Sequence, residues 1–247
     1  MKTKNEPIPY SPRMQQGEPG LNNLDVAGEQ RRFIVKVYGW MFLALMITAV
    51  VSLITISSET ILMFIFGNEA VFFALLISEL LLVWILSRRI NKMAVPTAMI
   101  SYLLYSVING LTLSCIFLAY TMGSIAGTFF VTASIFGVMS IYGYFTDKDL
   151  TSAGNLCLMG LIGIILASLV NMFLNSTALY WIITYAGVII FTALTAYDTQ
   201  KIKQMNVIGD EGTAQDQKQS IIGALILYLD FINLFLMLLR IFGRSRD

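Results

Sequence analysis

The stretch IIGALILYLDFINLFLMLLRI, residues 221–241, holds one carboxylate, Asp230, in a run that is apolar for about nine positions on either side. As a helix its 21 residues cover roughly 30 Å at 1.5 Å per residue, the thickness of a bilayer's hydrocarbon core. A large soluble core could bury such a helix too, so the remainder of the chain decides. Of the 247 residues 57% are hydrophobic and only 13% charged, and the mean hydropathy is +0.74, far from what a soluble surface needs. Further apolar runs cover residues 33–56, 70–87, 95–119, 125–145, 153–174 and 179–198. With 221–241 they predict seven spanning helices and an all-α integral membrane protein. Continuous runs exclude a β-barrel, whose strands alternate over roughly ten residues. The piece TILMFIF at 60–66, closed by Gly67-Asn68-Glu69, is too short to span and reads as interfacial.

Residues 1–30 contain four of the five prolines and have no apolar h-region, so they read as a disordered cytoplasmic tail rather than a cleaved signal peptide. Residues 31–247 form the transmembrane domain. With the N-terminus inside, thirteen Lys and Arg fall on inside segments, and the loops near 57–69, 120–124 and 174–178 carry none, as the positive-inside rule requires. Arg240, Arg244 and Arg246 break the rule if all seven segments span. They keep open a re-entrant last segment that would return the C-terminus inside.

The net charge of +1 gives no global field for nucleic acid. Cys115 and Cys157 sit in apolar runs without metal-ligand spacing and read as small packing residues. Small residues such as Ala133, Gly137, Gly160, Gly163, Ser106 and Gly110 suit close helix packing in lipid. No histidine occurs, so any titration near neutral pH must come from a perturbed carboxyl or lysine. No cofactor is expected.

Three acids lie within or at the edge of the runs: Glu79, Asp198 in TAYDTQ (195–200), and Asp230. A carboxylate near the centre of a spanning helix costs about 2.5–3.5 kcal/mol on insertion scales and is normally turned inward and partnered. For Asp230 the bland reading is a structural hydrogen bond to Tyr228, Asn233 or a neighbouring helix. Asp198 reads as the end of the sixth helix, within reach of headgroups and water, with Lys201 and Lys203 as topogenic anchors; Glu79 reads as a hydrogen-bonding group in a tight bundle. If Asp198 and Asp230 meet, they cannot both ionise cheaply in a low-dielectric site and must share a proton, which makes a pH sensor without histidine. The sixth helix is expected to end near 199 and the seventh to begin near 220, so the two meet only if the seventh starts low or tilts, as the polar linker permits. Arg88 or Arg89, at the inside end of the second span, is a candidate counter-charge.

At these residues the sequence resembles the Bax inhibitor-1 family, the transmembrane Bax inhibitor motif proteins, and most closely its bacterial branch. The matching stretches are VINGLTLSCIF (107–117), the segment 140–174, FTALTAYDTQKIK (191–203) and LYLDFINLFLMLLRIFG (227–243). The resemblance implies a seven-helix bundle with the C-terminal helix at its centre, and a pH-sensitive calcium leak governed by two aspartates, which match Asp198 and Asp230. It also implies an arginine from the second helix paired with the first aspartate, matching Arg88 or Arg89. Glu79 and Asn233 are secondary polar candidates. Calcium takes six to eight oxygens and two carboxylates supply at most four, so binding at Asp198 and Asp230 is expected to be weak and transient. A bacterial inner membrane is the expected location, with lipid, calcium and a membrane-protein partner as candidate contacts.

Two other functions compete. An intramembrane aspartyl protease would also carry two aspartates on its last helices, but its second aspartate lies in GxGD, whereas the residues here, Tyr228-Leu229-Asp230-Phe231, include no glycine, and no enzyme is expected. A non-transporting regulator of a protease or quality-control complex would fit the lack of a continuous polar stripe.

Overall fold

The computed structural model describes residues 26–246. The expected tail lies outside these residues as far as residue 25, and residues 26–30 already form the start of the first helix. The described helices are α1 (Val26–Ser57), α2 (Glu59–Phe66), α3 (Glu69–Arg89), α4 (Val95–Leu113), α5 (Ile116–Ala119), α6 (Met122–Phe145), α7 (Thr151–Leu174), α8 (Thr177–Met205) and α9 (Ala214–Phe242). Counting α4 and α5 as one span broken near Ser114 and Cys115, seven segments are long and apolar enough to cross a membrane. Helix ends follow ordinary capping chemistry. The side chains of Asn68, Ser176 and Thr213 accept hydrogen bonds from first-turn amides of α3, α8 and α9, and Pro96 opens α4.

Helix α9 is the axis of the bundle. It buries 72% of its most apolar stretch, whereas α3 and α7 bury 6% of theirs. Helices α1, α4, α6 and α8 pack around it, α3 leans on α4, and α7 leans on α8. The side chains of Ala224, Leu227, Tyr228 and Leu234 on α9 are fully enclosed, and the stripe Ile226, Leu229, Asn233 and Met237 is half-buried. A helix apolar all round is one that other helices surround. Aromatic edges fix one contact: the ring of Phe231 meets those of Phe129 and Phe136 on α6 at 5.3 and 5.4 Å.

Two boundaries differ from expectation. Helix α8 continues two turns past Asp198, to Met205, and α9 begins at Ala214 rather than near 220. The 206–213 linker between them is tied to α1. The Glu29 carboxylate accepts from the Gly209 amide at 2.9 Å, Arg32 pairs with Glu211 at 2.7 Å, and Lys36 pairs with Asp216. These tethers hold the start of α9 beyond the end of α8.

The C-terminus answers the question of re-entry. Helix α9 is continuous over 29 residues, and the strand-like segment after it pairs with the 119–121 turn. The Thr121 amide donates to the Arg244 carbonyl and the Arg246 amide to that of Ala119, both at 3.0 Å. That turn lies at the opposite end of the bundle from the start of α1, so the last helix traverses fully and does not return. The arginines there have local partners: the guanidinium of Arg246 donates to the Phe117 carbonyl at 3.3 Å, and that of Arg240 lies 5.3 Å from the Tyr180 ring.

Candidate functional site: a carboxyl pair between α8 and α9

Asp198 and Asp230 are buried, at 9% and 6% exposure, and their carboxyls lie within hydrogen-bonding reach of one another. Carboxylates are acceptors only, so a hydrogen bond between two of them requires a proton on at least one. The partners weighed for Asp230 from sequence are occupied elsewhere. The Tyr228 hydroxyl donates to Asn109 Oδ1 at 3.0 Å, and the Asn233 amide donates to the Leu229 carbonyl at 2.8 Å.

The sequence around Asp198 explains its placement. On α6 and α7 the residues facing this part of α8 are Gly143 and Gly154. A Cβ at Gly143 would strike the Ala196 carbonyl, and one at Gly154 would strike the Tyr197 ring. Both helices can therefore close on α8 just before Asp198. Thr195 and Thr199 return their hydroxyls to the carbonyls of Phe191 and Thr195, at 2.8 and 2.7 Å, and add no polar demand to the interior. Gln200 fastens the 146–150 connection: its amide donates to the Lys148 carbonyl at 2.8 Å, and its oxygen accepts from the Leu150 amide at 2.9 Å. Ile202, one turn after Asp198, is fully buried against α9.

The pair opens onto a cavity of about 510 Å³ between α7, α8 and α9, lined by both aspartates, Asn233 and mainly apolar side chains such as Leu161, Phe191 and Met237. One carboxyl oxygen of Asp230, Oδ2, is buried with no hydrogen-bond partner.

Arg88 and Arg89 stand exposed at the end of α3. Among the described residues neither forms an ion pair with Asp198 or Asp230, because α3 is an outer helix resting on α4. The cation within electrostatic reach of Asp198 is Lys201, which the sequence marks only as an anchor; its ammonium also lies 5.6 Å from the Tyr197 ring.

Glu79 is hydrogen bonded, as its position suggests, and belongs to a second polar chain. It accepts from the Thr112 hydroxyl at 2.5 Å, and the same hydroxyl lies 3.0 Å from the Asn109 carbonyl. Asn109 holds Tyr228, whose hydroxyl meets that of Thr48 at 2.6 Å. Residues 228 and 230 point about 200° apart on a helix, so α9 offers its phenol to α1 and α4 and its carboxyl to α8. Sequence reasoning missed Gln200, Gly143, Gly154 and the Tyr228–Asn109 bond. Of these only Gln200, a polar residue continuing the TAYDTQ stretch, left a readable trace.

Residues 30–247 match the family described as "Inhibitor of apoptosis-promoting Bax1". The chain is 52% identical over 215 residues to the inner membrane protein YbhL of Escherichia coli, covering 87% of this chain and 92% of that one. It is 46% identical over 218 residues to an uncharacterized protein of Borreliella burgdorferi, covering 88% and 94%. It is 34% identical over 232 residues to an uncharacterized membrane protein of Streptococcus pyogenes, covering 93% and 96%.

Proposed function

The chain belongs to the Bax inhibitor-1 family of membrane proteins, and from that premise we propose that it is a pH-sensitive leak for calcium or a similar cation, gated by Asp198 and Asp230. The observation that carries the reading is the contact between two buried carboxyls on the central helix and its neighbour, at the wall of a cavity. With one proton shared, the pair keeps a single negative charge and clasps α8 to α9 through the shared proton. A change in its proton occupancy alters both the attraction across that clasp and the charge presented to a cation, so one site senses pH and passes ions. Among the described residues no group of three or more His, Cys, Asp and Glu could hold a metal ion. A cation at the pair must complete its shell with water, carbonyls or Asn233, which suits passage rather than storage. A bacterial inner membrane is the fitting location, in line with the YbhL relative.

Calcium entry into proteoliposomes containing only this protein tests the reading, with Asp198→Asn and Asp230→Asn compared across pH. Flux that varies with pH in the wild type and loses that dependence in both variants supports it; no flux at any pH overturns it. A second reading draws on the mainly apolar cavity lining: the chain binds and regulates another membrane protein without conducting. That reading predicts no flux from the purified protein.

A further inference from the structure

We propose that the gap between α1 and α6 is a binding site for one anionic phospholipid, its phosphate at Arg31 and a glycerol ester at Ser140. A cavity of about 690 Å³ lies there, and among the described residues no acidic side chain lines it. Each of the two helices packs mainly on others, α1 on α4 and α9 and α6 on α8 and α9, which leaves the gap between them.

Arg31, Val35 and Tyr38 form one stripe of α1 at helical spacing, and Gly137, Ile141 and Phe145 face them from α6. The helices run in opposite directions, so Arg31 lies near the level of Phe145, where α6 ends. Tyr38 and Gly137 lie roughly 10–12 Å deeper at 1.5 Å per residue. A cation at the rim above apolar walls is the arrangement a phospholipid needs, since lipid phosphates attract juxtamembrane basic residues. A side chain at Gly137 would begin to fill the space, because nothing lies within 4 Å of where its Cβ would stand.

Two details point to a ligand. Ser140 is 6% exposed, lines the cavity, and its hydroxyl has no hydrogen-bond partner. Elsewhere on α6, Thr132 and Ser134 return their hydroxyls to the preceding turn at 2.8 Å; Thr128 is also unpartnered, but of the two orphaned hydroxyls only that of Ser140 belongs to a residue lining the cavity. Ser140 lies about 7–8 Å along α6 from Phe145, a depth at which the ester carbonyls follow a phosphate held at the rim. The second detail is charge. Arg32 and Lys36 are paired with Glu211 and Asp216, and Lys203 is engaged by the Tyr144 carbonyl and ring. Among the described residues Arg31 has no carboxylate partner. A choline or ethanolamine group would bring a second cation beside it with no acid in the lining to receive it, so the charge pattern selects an anionic headgroup.

The test is native mass spectrometry of the detergent-purified full chain titrated with phosphatidylglycerol or phosphatidylcholine. One phosphatidylglycerol is expected to bind with several-fold preference. Arg31→Gln should weaken it about tenfold, the equivalent of one charge-assisted hydrogen bond, and Ser140→Ala by a smaller factor. Gly137→Leu should abolish the site, and Lys92→Gln, at an exposed position on the same end, should leave it unchanged. Thermal melts of each variant separate loss of the site from loss of the fold. Equal binding of both lipids, or unchanged affinity in Arg31→Gln, overturns the proposal. So does competition by soluble glycerophosphoglycerol at equal concentration, which would assign the site to a free phosphate. Light scattering that shows a dimer dissolved by Gly137→Leu would assign the gap to a second copy and overturn it as well.

Discussion

Asp198 and Asp230 meet although they stand at different distances from the ends of their helices. Asp198 is about 10 Å from the end of α8, and Asp230 about 24 Å from the start of α9. The difference is absorbed below the pair, where the 206–213 linker extends beyond α8 and is tied to α1 through Glu29 and Arg32. Side-chain direction helps: Cα–Cβ bonds tilt toward a helix's N-terminus, so on antiparallel neighbours the two carboxyls lean toward each other.

The pair is expected to be energetically coupled. In a double-mutant cycle with asparagine at both positions, the coupling read from thermal unfolding should fall within about 0.5–3 kcal/mol, the range for residues in direct contact. Strict additivity would mean that the carboxyls do not touch in the membrane.

Closing α6 and α7 on α8 depends on two missing side chains. Gly143→Leu or Gly154→Leu should destabilise the protein by about 1–3 kcal/mol, as overpacking does, and should also change the cation flux by displacing Asp198. Ala at Gly137, which meets open space, should leave stability within about 0.5 kcal/mol of wild type. Melting temperatures of the three variants check the contrast.

Tyr228→Phe keeps the ring among its neighbours and removes the hydroxyl that joins Asn109 to Thr48. Leaving those buried groups short of a partner should cost about 1–3 kcal/mol. Because residue 228 faces away from α8, the pH dependence of flux should be retained. Loss of that dependence would show that the two polar chains act as one.

The linker's tie to α1 is pH-dependent in a known direction. The hydrogen bond from Arg32 holds the Glu211 carboxyl below its ordinary value. A depressed carboxyl stabilises the fold above its unfolded pKa, about 4.3 for Glu, and loses that contribution as pH falls through the folded value. A nitroxide at Val207 should keep its line shape from about pH 8 to 5 and become more mobile below about pH 4. With Glu211→Gln the acid step should be absent.

What the sequence determined on its own was the solvent. Seven apolar segments of spanning length can only be helices in lipid, because the backbone's polar groups must be satisfied within each segment. Asp230 inside the last of them, flanked by Leu and Phe, had to turn inward, and the family resemblance named Asp198 as its partner. Hydropathy reports where a segment leaves the hydrocarbon, however, and not where its helix ends. Apolar character fades at Tyr197, yet the backbone ladder of α8 runs on to Met205, with Ile202 buried against α9. Arg88 and Arg89 likewise carry the right charge for a carboxylate, but α3 packs on the outside of α4 and both side chains are exposed there. Tertiary structure alone decided that the carboxyls touch. Contact depends on how far α9 reaches past α8 and on how closely Gly143 and Gly154 let α6 and α7 approach, and both are set by packing between residues far apart in the chain.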